Sequence, residues 1–201
     1  MTEAEAQLRH GAARILGRSL TDDEARSLSG YLELLASWNR IYRMVGSSEA
    51  GWLVENVVLD SLLFLRALPS AFASLLDIGS GAGVPGIPIK IVRPAVSLVM
   101  AESRRKRASF LLTVIRSLGL TGASVVHGRA ETLIEDGRRF DAVVSRCAGE
   151  AITMLDLGSR LVSEGGTVVV AGSPGAVDLS MSRSVRLVNP VTGAPRHFLV
   201  R

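Results

Sequence analysis

The spacing of apolar positions follows two different periods along this chain, and the change falls near residue 70. Before it the spacing is helical. Thr21-Asp22-Asp23-Glu24 carries a capping-box signature, with Thr21 as N-cap and Glu24 three residues on. The segment behind it places Leu28, Leu32, Leu35, Trp38 and Tyr42 three and four apart, which predicts one amphipathic helix. A shorter helix is expected from Glu3 to Leu16, ending near Gly17. A third is expected from about Ala50 to Leu68, apolar through Leu59, Leu62, Leu63 and Leu65 and stopping before Pro69.

From Ser74 onward, short apolar runs alternate with helical stretches. The predicted strands are Leu75–Ile78, Val96–Ala101, Ala123–His127, Phe140–Ser145 and Gly166–Ala171. The predicted helices are Val84–Val92, Arg104–Leu118, Glu131–Asp136 and Glu150–Val162. Two further strand-like pieces, Ser184–Val188 and His197–Arg201, flank the turn-forming Asn189-Pro190 and Thr192-Gly193, and suit an antiparallel edge. The order predicts an α/β fold, with a mostly parallel seven-stranded sheet, helices on both faces and an N-terminal helical cap. The expected division is a cap over 1–70 and a core over 71–201, joined as a single compact unit.

The first strand runs into Asp77-Ile78-Gly79-Ser80-Gly81-Ala82-Gly83-Val84-Pro85-Gly86-Ile87-Pro88. Glycines at alternate positions suit a sharp turn and close approach of a ligand to the backbone. A dinucleotide fingerprint would put its third small residue at position 84, where this chain has Val84, and no Gly-Lys-Ser/Thr follows for a nucleotide triphosphate. A smaller ligand fits better. Glu102 ends the next strand, where a carboxylate can accept both hydroxyls of a ribose; the plainer alternative is a strand-end acid paired to Arg104 or Arg105. Gly128-Arg129-Ala130-Glu131 places another small residue and an acid at the third strand's end, beside an adenine ring. S-adenosylmethionine combines an adenosine with no phosphate, and it is the expected cofactor.

After the fourth strand come Arg146 and Cys147. No Asn/Asp-Pro-Pro-aromatic loop is present to hold an exocyclic amine. Cys147, the only cysteine, is read as a small buried hydrophobe rather than a nucleophile. An acceptor that needs no base remains. Guanine N7 carries an in-plane lone pair and is unprotonated at neutral pH, so catalysis reduces mainly to positioning. Arg146 is then a catalytic candidate that positions the acceptor electrostatically; the plainer alternative is a salt bridge at a strand end.

Charge modifies this picture only slightly. Of 23 basic residues two are lysines, Lys90 and Lys106, and the rest are arginines. Arginine forks bind phosphate bidentately, which suits nucleic acid, although arginine-rich codon usage gives the same bias. Arg104-Arg105-Lys106-Arg107 opens a helix, against the macrodipole, which favours an anionic partner over a merely solvated face. Arg138-Arg139 is expected to extend that patch. No apolar run has the length of a membrane span, no signal sequence opens the chain, and no cysteine cluster offers a metal site, so a cytoplasmic protein without metal is expected.

Leu76–Pro88, Lys106-Arg107, Phe110-Leu111, Arg129-Ala130-Glu131 and Val144-Ser145-Arg146 together resemble the bacterial ribosomal RNA small subunit methyltransferase G family, also called glucose-inhibited division protein B. Trp38-Asn39, Leu59-Asp60-Ser61 and Arg196-His197 extend the resemblance over nearly the whole chain. It implies a class I, Rossmann-like S-adenosylmethionine-dependent methyltransferase acting on the N7 of a guanine in 16S ribosomal RNA near the decoding region. The partner it implies is that RNA, free or in the small subunit, and a monomer is expected. The family's cofactor contacts fall on Gly79, Val84, Ala130, Glu131 and Arg146. With Asp77, Gly81, Gly83 and Glu102 these make the expected cofactor set, and Arg104, Arg105, Lys106, Arg107, Arg138 and Arg139 make the expected RNA set. The chain departs from the family's pattern at Arg43-Met44, where an Asn-Leu pair is common, at Val57, where a histidine is common, and at Ala171-Gly172, where a lysine-glycine is common. The rival readings are a methyltransferase acting on another RNA position or a small molecule, and a ribosome-binding protein without turnover.

Overall fold

A computed structural model describes residues 2–146, 148–172 and 182–201. The chain begins with α1 (Glu3–Leu16) and α2 (Asp22–Tyr42). Thr21 Oγ1 accepts from the Glu24 N–H at 3.1 Å while Glu24 Oε2 accepts from the Thr21 N–H at 2.9 Å, so the expected capping box is present. The third helical stretch is not uniform. It runs through α3 (Ala50–Leu53), a π-helical segment (Val54–Leu59), α4 (Asp60–Leu62) and a 3-10 turn (Leu63–Arg66). The wider π turn shifts the register of its buried face, and Asp60 and Ser61 end up inside.

The sheet has order β3-β2-β1-β4-β5-β7-β6. Its strands are β1 (Ser74–Ile78), β2 (Ser97–Glu102), β3 (Ala123–His127), β4 (Phe140–Arg146), β5 (Val162–Ala171), β6 (Arg183–Val188) and β7 (Pro195–Val200). The first five are parallel, and β7 runs antiparallel between β5 and β6. β5 starts four residues earlier than expected. Gly165, at φ 74°, and a register shift opposite Phe140/Ala142 let the chain re-enter the sheet directly, and the helix before it stops at Ser159 rather than Val162. The remaining helices are α5 (Gly86–Val92), α6 (Arg105–Leu118), α7 (Thr132–Glu135) and α8 (Ala151–Ser159).

Period-two alternation divides the sheet into two faces. Leu75, Leu98, Met100, Ala142 and Val144 point to a large core that also takes in Leu8, Leu28 and Leu35 of the N-terminal helices, Ile87 of α5 and Phe110 of α6. Leu76, Ile78, Val99, Val143 and Val168 point the other way, onto Leu133 of α7 and Leu155 of α8. The N-terminal helices thus share one continuous core with the sheet. The same parity sends Asp77, Glu102 and Arg146 toward the face that those helices cover.

Candidate active site

The carboxyl edge of β1 is built from backbone as much as from side chains. Gly79, Gly81 and Gly83 have φ of 69°, 56° and 90°, the left-handed region that a side chain disfavours. A β-carbon at Gly79 would collide with Ala148, and one at Gly83 with Ile87. At Gly81 the nearest obstacle is Arg107 Nη1 at 3.5 Å, which places α6 directly beside the loop. The loop is pinned from three sides. Glu102 Oε2 accepts from the Gly81 N–H at 2.8 Å, and the Ala82 carbonyl accepts from the Tyr31 hydroxyl at 2.8 Å. Asp77 Oδ2 accepts from the Gly86 N–H at 2.9 Å.

Glu102 is nearly buried, and its other oxygen, Oε1, accepts from the Arg104 N–H at 2.7 Å. Its partners are backbone groups rather than the guanidinium of Arg104 or Arg105. One lone pair on each oxygen is still available. Asp77 is fully buried, with Oδ1 unpartnered. Burial pushes its carboxyl up to about 7, against the pull of the Gly86 N–H; Glu102 raises it further and Arg146 lowers it. Tyr31, fully buried beneath the loop, has its phenol pushed upward chiefly by burial. Val84 packs partly buried against the large core, Ala130 is buried and Glu131 stands exposed at the start of α7.

Arg146 ends β4 half-buried. Its Nη2 is 3.7 Å from Asp60 Oδ2, and its Nη1 is buried without a partner. Asp60 is a hub: it also receives Arg196 Nε at 2.8 Å and Asn189 Nδ2 at 3.1 Å. The shared carboxylate joins the helical N-terminal region, β4 and the β6–β7 turn around one arginine. Tyr31 carries no motif in the sequence, and Asn189 reads there as a turn residue, which it also is, since its N–H donates to the Ala194 carbonyl at 2.9 Å.

The expected cofactor residues therefore gather at one edge of the sheet. The expected RNA residues do not all do so. Arg104–Arg107 follow the carboxyl end of β2, beside the glycine loop. Arg138 and Arg139 precede β4, at the amino edge of the same parallel sheet, and Arg138 lies 5.3 Å over the Phe140 ring. The two basic runs are on opposite edges, so Arg138-Arg139 does not extend the patch. Cys147 lies outside the described residues. Among the described residues no group of three or more His, Cys, Asp or Glu could hold a metal, and no helix is long and apolar enough to cross a membrane.

A seven-stranded sheet of this order, its penultimate strand antiparallel and its first βα loop built from left-handed glycines, defines a class I S-adenosylmethionine-dependent methyltransferase. Solved structures agree on the fold. A mutant of MtNAS superposes with a TM-score of 0.61 at 18% identity, covering 98% of this chain and 85% of that one. A putative caffeoyl-CoA O-methyltransferase from Staphylococcus aureus gives 0.58 at 11% identity, over 85% and 91%. Sequence comparison narrows the class. The family described as rRNA small subunit methyltransferase G matches residues 24–180. The Ribosomal RNA small subunit methyltransferase G of Laribacter hongkongensis is 37% identical over 160 residues, 80% of this chain and 75% of that protein. That of Aromatoleum aromaticum is 33% identical over 207 residues, 97% of each. The chain belongs to the rRNA small subunit methyltransferase G family.

The residues at this edge suit the cofactor that the class implies. Asp77 Oδ1 and Arg146 Nη1 are a buried acceptor and a buried donor without partners, fitted to an amino-acid moiety that carries both charges. The loop that follows Asp77 is built from glycines at left-handed φ, and a β-carbon at Gly79 or Gly83 would drive it into Ala148 or Ile87.

Proposed function

We propose that this chain transfers a methyl group from S-adenosylmethionine to the N7 of a guanine in 16S ribosomal RNA. The observation that carries the reading is the joint placement of the glycine cradle, Glu102 and Arg146 on one face of the carboxyl edge, in a chain of this family. Gly79, Gly81 and Gly83 leave room for the cofactor against backbone. Glu102 offers its two remaining lone pairs to the ribose hydroxyls, and Ala130 and Glu131 border the adenine. Asp77 and Arg146 face the amino-acid end, and Val84 supports the loop from the core side.

The cofactor supplies a methyl group on a sulfonium, whose sulfur keeps the bonding pair when the methyl leaves. The acceptor lone pair of guanine N7 forms the new bond and no proton has to move, so the protein needs no general base. Its work is orientation. Arg146 Nη1 carries two hydrogens, one for the carboxylate of the cofactor and one to donate to an acceptor such as guanine O6, which holds the ring while leaving N7 free. Asp60 fixes the other arm of that guanidinium and offsets its charge, and Arg196 and Asn189 fix Asp60. Asp77 and Glu102 already serve as hydrogen-bond acceptors for loop N–H groups, which suits binding roles.

The test is to incubate the protein with methyl-labelled S-adenosylmethionine and either naked 16S RNA or small subunits. Label in the RNA, together with calorimetric binding of the cofactor, supports the reading. Label confined to small metabolites, or no cofactor binding, contradicts it.

A further inference from the structure

A cleft of about 300 Å³ opens beside the glycine loop, between the end of α2 and the start of α6. It is lined by Tyr42, Arg43, Arg104, Arg105, Lys106 and Arg107, five cations and no carboxylate. None of the five forms an ion pair among the described residues. Elsewhere in the N-terminal region Arg9 pairs with Glu5 and Asp22, Arg18 with Glu24 and Arg26 with Asp23. The cleft is also held rigidly. Trp38 of α2 packs 5.4 Å from Phe110 of α6, and Lys106 stands 5.0 Å over the ring of Tyr42.

Two features concentrate positive charge here, and the Glu102 carboxylate on the Arg104 N–H offsets only part of it. Helix α6 spans 14 residues and starts with no side-chain cap, so its first-turn N–H groups and four adjacent cations all concentrate positive potential. Arg43 adds a fifth charge from a conformation that resists it. It has φ 47° and ψ 60°, the only non-glycine residue with positive φ among those described. Branched or long side chains are disfavoured there, whereas Asn is tolerated. A strained residue in a cleft of unpaired like charges points to a bound anion.

We propose that this cleft is a phosphate subsite that grips a backbone phosphate of the RNA substrate close to the methyl-transfer site. The inference rests on the RNA reading above and adds to it a defined point of contact with Arg43 as a member. Arg107, beside Gly81, links the subsite to the cofactor cradle, so an RNA strand held here is registered against the reacting end.

Filter binding of 16S RNA to the full chain, measured from about 0.05 to 0.2 M salt, tests it, with Arg43→Asn as the variant. The expected result is a roughly tenfold loss of affinity and a salt slope smaller by about 0.7–0.9, as for one lost phosphate contact. The melting temperature should rise by about 2–4 °C because Asn relieves the backbone, a combination that structural damage would not give. Calorimetric affinity for S-adenosylmethionine should stay at the wild-type value. Arg138→Gln, at the opposite edge, should leave the slope unaltered. An unaltered slope in Arg43→Asn, or an equal loss in Arg138→Gln, overturns the subsite. A wild-type chain that methylates no RNA contradicts the proposed function instead, so the two failures are distinguishable.

Discussion

Replacing Glu102 by Gln keeps the shape of the side chain but removes one of two acceptors. In the native site each carboxylate oxygen takes a backbone N–H, Gly81 at 2.8 Å and Arg104 at 2.7 Å, in a nearly buried position. Gln can satisfy one of them and must turn its own NH₂ toward the other. Loss of one charge-assisted bond and a buried donor facing a donor together cost about 2–3 kcal/mol. For a domain of this size that lowers the melting temperature by roughly 4–10 °C. A small part is returned, because the carboxylate of Glu102 disfavours ionisation of Asp77. The cofactor effect can be separated from this loss by calorimetry with S-adenosylhomocysteine and its 2′-deoxy analogue. Deoxygenation should weaken binding to the wild type about 10–100-fold, and distinctly less to Glu102→Gln, because the acceptor is already compromised. If Glu102→Gln melts like the wild type, the carboxylate does not pin the loop. If both proteins lose the same factor on deoxygenation, it does not receive the ribose.

Tyr31→Phe leaves the Ala82 carbonyl buried without its donor, at a cost of about 1–2 kcal/mol, and should lower both the melting temperature and cofactor affinity; unchanged melting would refute the clamp. Asp77 holds its proton to about pH 7 in the folded chain and only to about pH 4 in the unfolded one. Its contribution to stability is therefore greatest below about pH 4, falls by at most about 4 kcal/mol as pH rises to about 7, and is flat above that. Asp77→Asn should remove this decline, so urea midpoints of variant and wild type that run parallel between about pH 5 and 8 would contradict the assignment. Arg146→Ala should lower the rate of methyl transfer about 100-fold, with cofactor affinity falling less than tenfold; wild-type turnover would show that Arg146 does not position the acceptor.

Local signals read well from the sequence because their physics is local. The Thr21–Glu24 box, the end of α1 at Gly17 and the strand over Leu75–Ile78 depend on neighbours a few residues away, and each is present. The glycine loop and Glu102 were also legible, since a βα turn brings a strand end and the next strand end together wherever the sheet is parallel. What escaped were contacts that only the closed fold creates. Tyr31 reaches Ala82 across 51 positions, and Asn189 reaches Asp60 across 129. The π segment before Asp60 has no pattern distinct from that of an α-helix, so nothing marked Asp60 as a buried hub. Arg138-Arg139 looked like part of the basic patch because charge runs carry no record of which sheet edge they occupy.

The central claim is the identity of the atom that receives the methyl group. After reaction of the wild-type protein with S-adenosylmethionine and unmethylated 16S RNA or small subunits, the RNA is digested to nucleosides and the products separated by mass spectrometry. The predicted product is 7-methylguanosine, approaching one per RNA at completion, with Arg146→Ala giving about a hundredth of the wild-type amount at early times. A methyl on an exocyclic amine, a ring carbon or a ribose hydroxyl would contradict it.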